Sequence, residues 1–299
     1  MKANKKQIEK LPTYKKHRNY FSEFIDKLLA KYEQKPGASL HVNIISRDNS
    51  VEKRRLYDLL NVLVACDVCS KSDNHTYKWK SLQNAILSIK KLSYDIELNA
   101  SVAGINNFES LLLLPDTPSI GLITNKFIGL FLFLNRTILN ITDVALLMSL
   151  DKVHYKPILR RLYLVGYFLE RIGILDHVYC GTGEYHIKVN VSGICQETLK
   201  KMAIERKFQP DTIEYQLNRF DESAMDSFYH ARRYNFAILI QNRKAVILSS
   251  NDSTETNQKT TSAKSIHSST TESDFPQSPK DASPLSSSID EIAHVPKCV

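Results

Sequence analysis

Arg54-Arg55-Leu56-Tyr57 returns 106 residues later as Arg160-Arg161-Leu162-Tyr163. An arginine fork can bond O6 and N7 of one guanine together, and such a pair is worth roughly 1–3 kcal/mol of discrimination between bases. Around the first run, Lys53 adds charge and Tyr57 can donate to a phosphate. Asp58 lies one helical turn after Arg54 and Arg55, close enough to hold a guanidinium in place. Tyr163 repeats the Tyr57 position. Lys71, Lys78 and Lys80 follow in a stretch that suits phosphate contacts, which position a protein on a duplex without reading its sequence. A lone Arg-Arg pair is usually a solvated helix face. Two runs, each continued by apolar residues (Leu59, Leu60, Leu63; Val165, Phe168, Leu169), point instead to duplicated readers of base edges.

Such readers need helices with one apolar stripe and long polar groups opposite, set on a small core. In the first copy, Tyr20, Phe21, Phe24, Ile25, Leu28, Leu29 and Tyr32 have the spacing of a buried helix face, ended by Pro36-Gly37. A short helix fits Val42 to Asp48, and a third runs from Val51 to about Cys66, with Leu56, Leu59, Leu60 and Leu63 inward. Ser70 to Asn74 reads as a turn and Thr76 to Trp79 alternates as a strand. The second copy has the same order. Its helices are expected over Leu122 to Leu134, Thr142 to about Leu150, and from near Pro157 to about Ile172, with proline in a first turn. Strands Leu175 to Cys180 and Tyr185 to Val189 flank a Gly181-Thr182-Gly183 turn. Three helices and a hairpin form a winged helix, a helix-turn-helix variant. The expected class is therefore α+β, with two tandem winged-helix domains at 14–80 and 119–190. A linker with a mixed helical stretch, ending in a hinge at Pro115 to Ser119, occupies 81–118, a partly helical region of unknown role 191–250, and a disordered Ser/Thr-rich tail 251–299.

Charge placement agrees. The chain of 299 residues has a net charge of +8, and residues 1–80 alone carry 17 basic against 9 acidic groups. Residues 251–299 carry 4 basic and 7 acidic groups. A basic front and an acidic back suit a polyanion-binding body with a tail. Five scattered cysteines and a Lys-rich start read as intracellular, and the apolar run Phe127 to Leu134 is too short for a bilayer, so no membrane partner is expected. Cys66 and Cys69 lack two further ligands at matching spacing and read as core. No paired carboxylates or nucleophile–base set stands out; neither catalysis, a cofactor, a metal nor a small-molecule substrate is expected. Lys15-Lys16-His17-Arg18 fits nuclear import, DNA backbone contact or a plain solvated helix start.

The run from Val51 through Arg54-Arg55-Leu56-Tyr57-Asp58-Leu59-Leu60-Asn61-Val62-Leu63 resembles the recognition helix of the E-two-F/DP cell-cycle transcription factors. Leu40 to Asn43 resembles that family's entry to helix 2, and Asn74-His75 to Trp79 the end of its wing. Ser119 to Leu122, Lys126-Phe127 and Arg160 to Tyr163 resemble the second DNA-binding domain of the family's atypical branch. The resemblance implies a nuclear regulator of cell-cycle promoters, chiefly a repressor. It would contact the G·C core of a TTTSSCGC-like element through Arg54, Arg55, Arg160 and Arg161, without a DP-type partner, as a monomer or homodimer. The second copy departs from the pattern: the family's Asp is Leu164, its Asn is Tyr167, and Pro157 stands where a basic or polar group is expected. A tandem winged-helix module that binds protein, with only non-specific DNA affinity, is the competing expectation.

Overall fold

The computed structural model describes residues 13–103, 112–149, 151–178, 183–205 and 222–252; for 13–19, 103, 222–225 and 247–252 it describes the backbone alone. Pro36-Gly37 ends the first helix, α1 (Thr13–Glu33), with Gly37 at φ +84°. Strand β1 (Ser39–His41) leads directly into α2 (Val42–Asp48). Helix α3 (Lys53–Ala65) follows, then β2 (Cys69–Lys71) and β3 (Thr76–Trp79). The strands form an antiparallel sheet in the order β1-β3-β2, with Leu40 opposite Tyr77 and both buried. The turn expected at Ser70 is thus displaced by β2, and the expected hairpin has a third strand. Each unforeseen strand spans only three residues, too short to reveal a two-residue period.

Trp79 closes this sheet: its ring lies against Tyr32, and its indole N–H donates to Glu33 at 3.1 Å. Glu33 also accepts from the Ser81 hydroxyl and the Leu82 backbone N–H, both at 2.9 Å. One carboxylate therefore fastens α1, the end of the sheet and the chain leading to the next helix.

The same order recurs as α5 (Ile120–Phe133), β4 (Ile138–Asn140), α6 (Ile141–Met148), α7 (Lys152–Arg171), β5 (Leu175–Val178) and β6 (Glu184–Ile187). Its sheet order is β4-β6-β5, and Leu139 faces Tyr185 as Leu40 faces Tyr77. Gly183 takes φ +80°, as the expected turn requires, while residues 179–182 lie outside the described residues. Helix α7 begins at Lys152, well before the expected Pro157, because the Asp151 carboxylate caps it, accepting from the His154 N–H at 2.9 Å. Pro157 therefore lies inside the helix, past the first turn.

The stretch expected to be a linker contains α4 (Asn84–Ala103), a full helix packed against α5 and α8 (Val191–Ile204). Its buried residues Ala85, Ile89, Ser93, Glu97 and Ala100 recur at helical spacing. Helix α9 (Glu222–Asp252) buries Phe228, Tyr229, Arg232, Phe236 and Ile240. Arg232 makes a two-pronged ion pair with Glu97, at 2.6 and 2.7 Å, and also donates to the Phe133 carbonyl at 3.2 Å. Helix α9 runs to Asp252, two residues into the tail expected from residue 251; residues 253–299 lie outside the described residues. Among the described residues, no helix is long and apolar enough to cross a membrane.

Candidate nucleic-acid interface

Helix α3 starts at Lys53, so Lys53, Arg54 and Arg55 all fall in its first turn, and all three are exposed. Leu56, Leu59, Leu60 and Leu63 face the core. Val62 is buried too, because this helix has a second neighbour: α5 of the other repeat packs beside it. A Cβ placed on Gly121 would stand 3.5 Å from the Asn61 carbonyl and 3.7 Å from Ala65. Helix α3 also touches α7, and Arg171 of α7 pairs with Asp26 of α1 at 3.3 Å.

Asp58, half-buried, sits at this seam. Burial raises its carboxyl above the usual range, partly opposed by the positive charges of Arg54, Arg55 and Arg161. One carboxylate thus senses arginines from both repeats. Arg160 and Arg161 are exposed, with Arg161 donating through Nη1 to the Pro118 carbonyl at 2.5 Å. That bond restrains Arg161 while Arg160 projects outward.

The tyrosines turn toward their own hairpins. The Tyr57 hydroxyl lies 2.5 Å from His75 Nδ1, and the His75 backbone N–H donates to Asp73 at 3.0 Å. Tyr163 covers the second hairpin: a Cβ on Gly183 would come within 3.1 Å of its hydroxyl. Tyr57 was expected to donate to a phosphate, yet here its hydroxyl already has an internal partner, which ties α3 to the hairpin. His75, which the resemblance places in the wing, joins the site through this contact.

The expected phosphate-binding lysines separate. Lys71 pairs with Tyr77 across the sheet and so shares the face turned toward α3. Lys78 pairs with Ser39 and Ser70 and emerges on the opposite face. Lys80 is engaged by Asp67 at 2.5 Å. Cys66 and Cys69 are buried, and burial pushes both thiols up to about 12, as befits core packing. Among the described residues, no group of three or more His, Cys, Asp or Glu side chains could hold a metal ion.

Comparison with known proteins places this geometry. Residues 21–81 match the E-two-F/DP family winged-helix DNA-binding domain. A stretch of 81 residues is 35% identical to transcription factor efl-3 of Caenorhabditis elegans, covering 26% of this chain and 13% of that protein. The match spans α1 from Phe21 through β3, and with it every side chain of the first arginine cluster. Residues 21–81 are thus a winged-helix DNA-binding domain of that family's type, homologous to the corresponding stretch of efl-3.

Proposed function

We propose that the protein is a nuclear, sequence-specific regulator of transcription that binds double-stranded DNA and performs no catalysis, with residues 120–187 serving as a second winged helix. One observation carries the reading. The duplicated arginine runs lie exposed on helices that touch, and Asp58 senses Arg54, Arg55 and Arg161 together.

In this reading the first turn of α3 enters the major groove, and Arg54 and Arg55 read guanines in the G·C core of a TTTSSCGC-like element. Arg160 supplies the second reader, while Arg161 and Asp58 set the angle between the two helices. Lys53 and Lys71 take phosphates; Lys78, on the far sheet face, does not. Tyr57 and Tyr163 hold each reader helix to its wing. The flank of α3 is already covered by α5 and α7 of the same chain, which supports binding without a DP-type partner. Repression of cell-cycle promoters is the expected output.

Selection of bound sites from a random duplex pool tests this with the full chain. A single GC-core motif is expected, and the combined Arg54→Ala and Arg55→Ala variant should lose that selection while retaining weak, salt-sensitive binding. Enrichment of the same motif by the variant would overturn the assignment.

A further inference from the structure

The reader helices of the two repeats differ in length. Arg54 is the second residue of α3, whereas Arg160 is the ninth of α7. The additional residues, from Lys152 to Ile158, all precede the arginine run. At 3.6 residues per turn they add about two turns, or roughly 10 Å, to the amino end of the helix.

Seven residues also nearly complete two revolutions, so Val153 returns to within about 20° of Arg160 around the axis, and Lys156 lies about 40° to the other side. Exposure follows this geometry: Val153, Lys156, Pro157, Arg160 and Tyr163 are all exposed, while Ile158, Leu162, Val165 and Leu169 are buried on the opposite side. Val153 is 77% exposed, an apolar side chain set between charged groups on a helix whose other apolar residues are mostly covered. The segment leading into the extension is held by α9, and the extension is capped by its own Asp151. Arg243 of α9 donates to the Ser149 carbonyl at 2.8 Å, Lys244 pairs with Asp143 at 2.7 Å, and Asp151 is engaged by His154. The two acidic groups at its base thus have partners, and the strip beside Arg160 carries no acidic side chain.

We propose that the first two turns of α7 form a further DNA-reading element on one flank of the core site. Val153 packs on a thymine methyl group and Lys156 contacts a guanine edge or phosphate beside it. The chemistry is specific: the 5-methyl group of thymine is the one apolar feature of the major-groove edge, and an aliphatic side chain is its natural complement. Helix α3 has no equivalent turns, so the element makes the protein's site asymmetric. The inference rests on the DNA-binding reading above and extends it to base pairs outside the arginine contacts.

A thymine-to-deoxyuridine scan of the selected site, with the unaltered full-length protein, removes one methyl group at a time. On one flank, a position should appear at which loss of the methyl weakens binding roughly 3- to 10-fold. Val153→Ser should abolish that sensitivity, and Lys156→Ala should weaken binding about tenfold. Indifference to deoxyuridine at every flanking position overturns the element, as does wild-type binding by both variants. Those results leave the core reading intact provided the Arg54→Ala and Arg55→Ala variant still loses GC selection; if it does not, DNA reading by these helices fails altogether.

Discussion

In the first repeat the Tyr77 hydroxyl, from the central strand, donates to Asn61 of α3 at 3.4 Å. In the second, the matching Tyr185 lies directly on Gly166 of α7, where an added Cβ would come within 2.7 Å of its ring. Asp58, which holds the arginines' charge in the first repeat, is matched by the half-buried Leu164 in the second. The first repeat holds α3 with polar links on the helix itself. The second sets Tyr185 against Gly166 of α7, while α9 holds the surrounding α5 and α6 from outside, through Arg232 on the Phe133 carbonyl and Lys244 on Asp143.

The largest effect should come from removing that support. Arg232 and Glu97 are 2% and 3% exposed, and three aromatic rings, those of Phe133, Phe228 and Tyr229, surround the guanidinium. Arg232→Met leaves a carboxylate buried alone, which costs about 3–5 kcal/mol. Amide exchange should show α4, α8 and α9 losing protection before the β1-β3-β2 sheet. Adding Glu97→Leu should recover most of the loss, since a well-packed apolar pair is often as stable as a buried ion pair. Uniform loss across both repeats would erase the distinction drawn above.

Next in size is the contrast between arginine runs. Arg54→Ala with Arg55→Ala should reduce preference for the selected site by about 5- to 150-fold per guanine lost. Arg160→Ala with Arg161→Ala should cost less, because Arg161 is already bound to Pro118. Equal losses in competition binding would show the two helices to be equivalent readers.

Smaller still is the packing difference. Gly166→Ala should destabilise by about 1–3 kcal/mol through overpacking against Tyr185, as measured by chemical unfolding. Tyr185→Leu in the same chain should relieve most of it. Unchanged stability on Gly166→Ala alone would mean that the close approach is not what constrains α7.

The smallest effect concerns Asp58. Burial raises its carboxyl against the attraction of three arginines. The folded state therefore holds this proton to higher pH than the unfolded chain does. The residue's contribution to stability is greatest below about pH 4 and falls as pH rises through the folded value. Asp58→Asn should melt slightly higher than wild type near pH 7, with the gap closing toward pH 4. A gap that widens with acidity would place the carboxylate in a stabilising pair instead.

Much of this was legible from residues alone. Helix α2 and strand β3 fall where Val42 to Asp48 and Thr76 to Trp79 indicate, since apolar period and turn residues agree there. The start of α7 was missed because Pro157 is a familiar first-turn residue and masks the stronger cap at Asp151. The helical stretch within the linker did not read as core because two of its buried positions, Ser93 and Glu97, are polar and find their partners on α8 and α9. Tyr57 looked free to reach a phosphate since its partner His75 lies 18 positions away.

Local chemistry in the chain settled the three helices of each repeat, the strands β3, β5 and β6, the pairing of the arginine runs and the outward side of the helices that carry them. Those properties depend on neighbours within a turn or two, where side-chain period and capping act. The folded body alone decided that Asp58 meets arginines from both repeats, that Lys71 and Lys78 part to opposite sheet faces, and that α9 clamps the second repeat. Each of these joins groups distant in sequence, and long-range contacts arise only when buried surfaces are brought together.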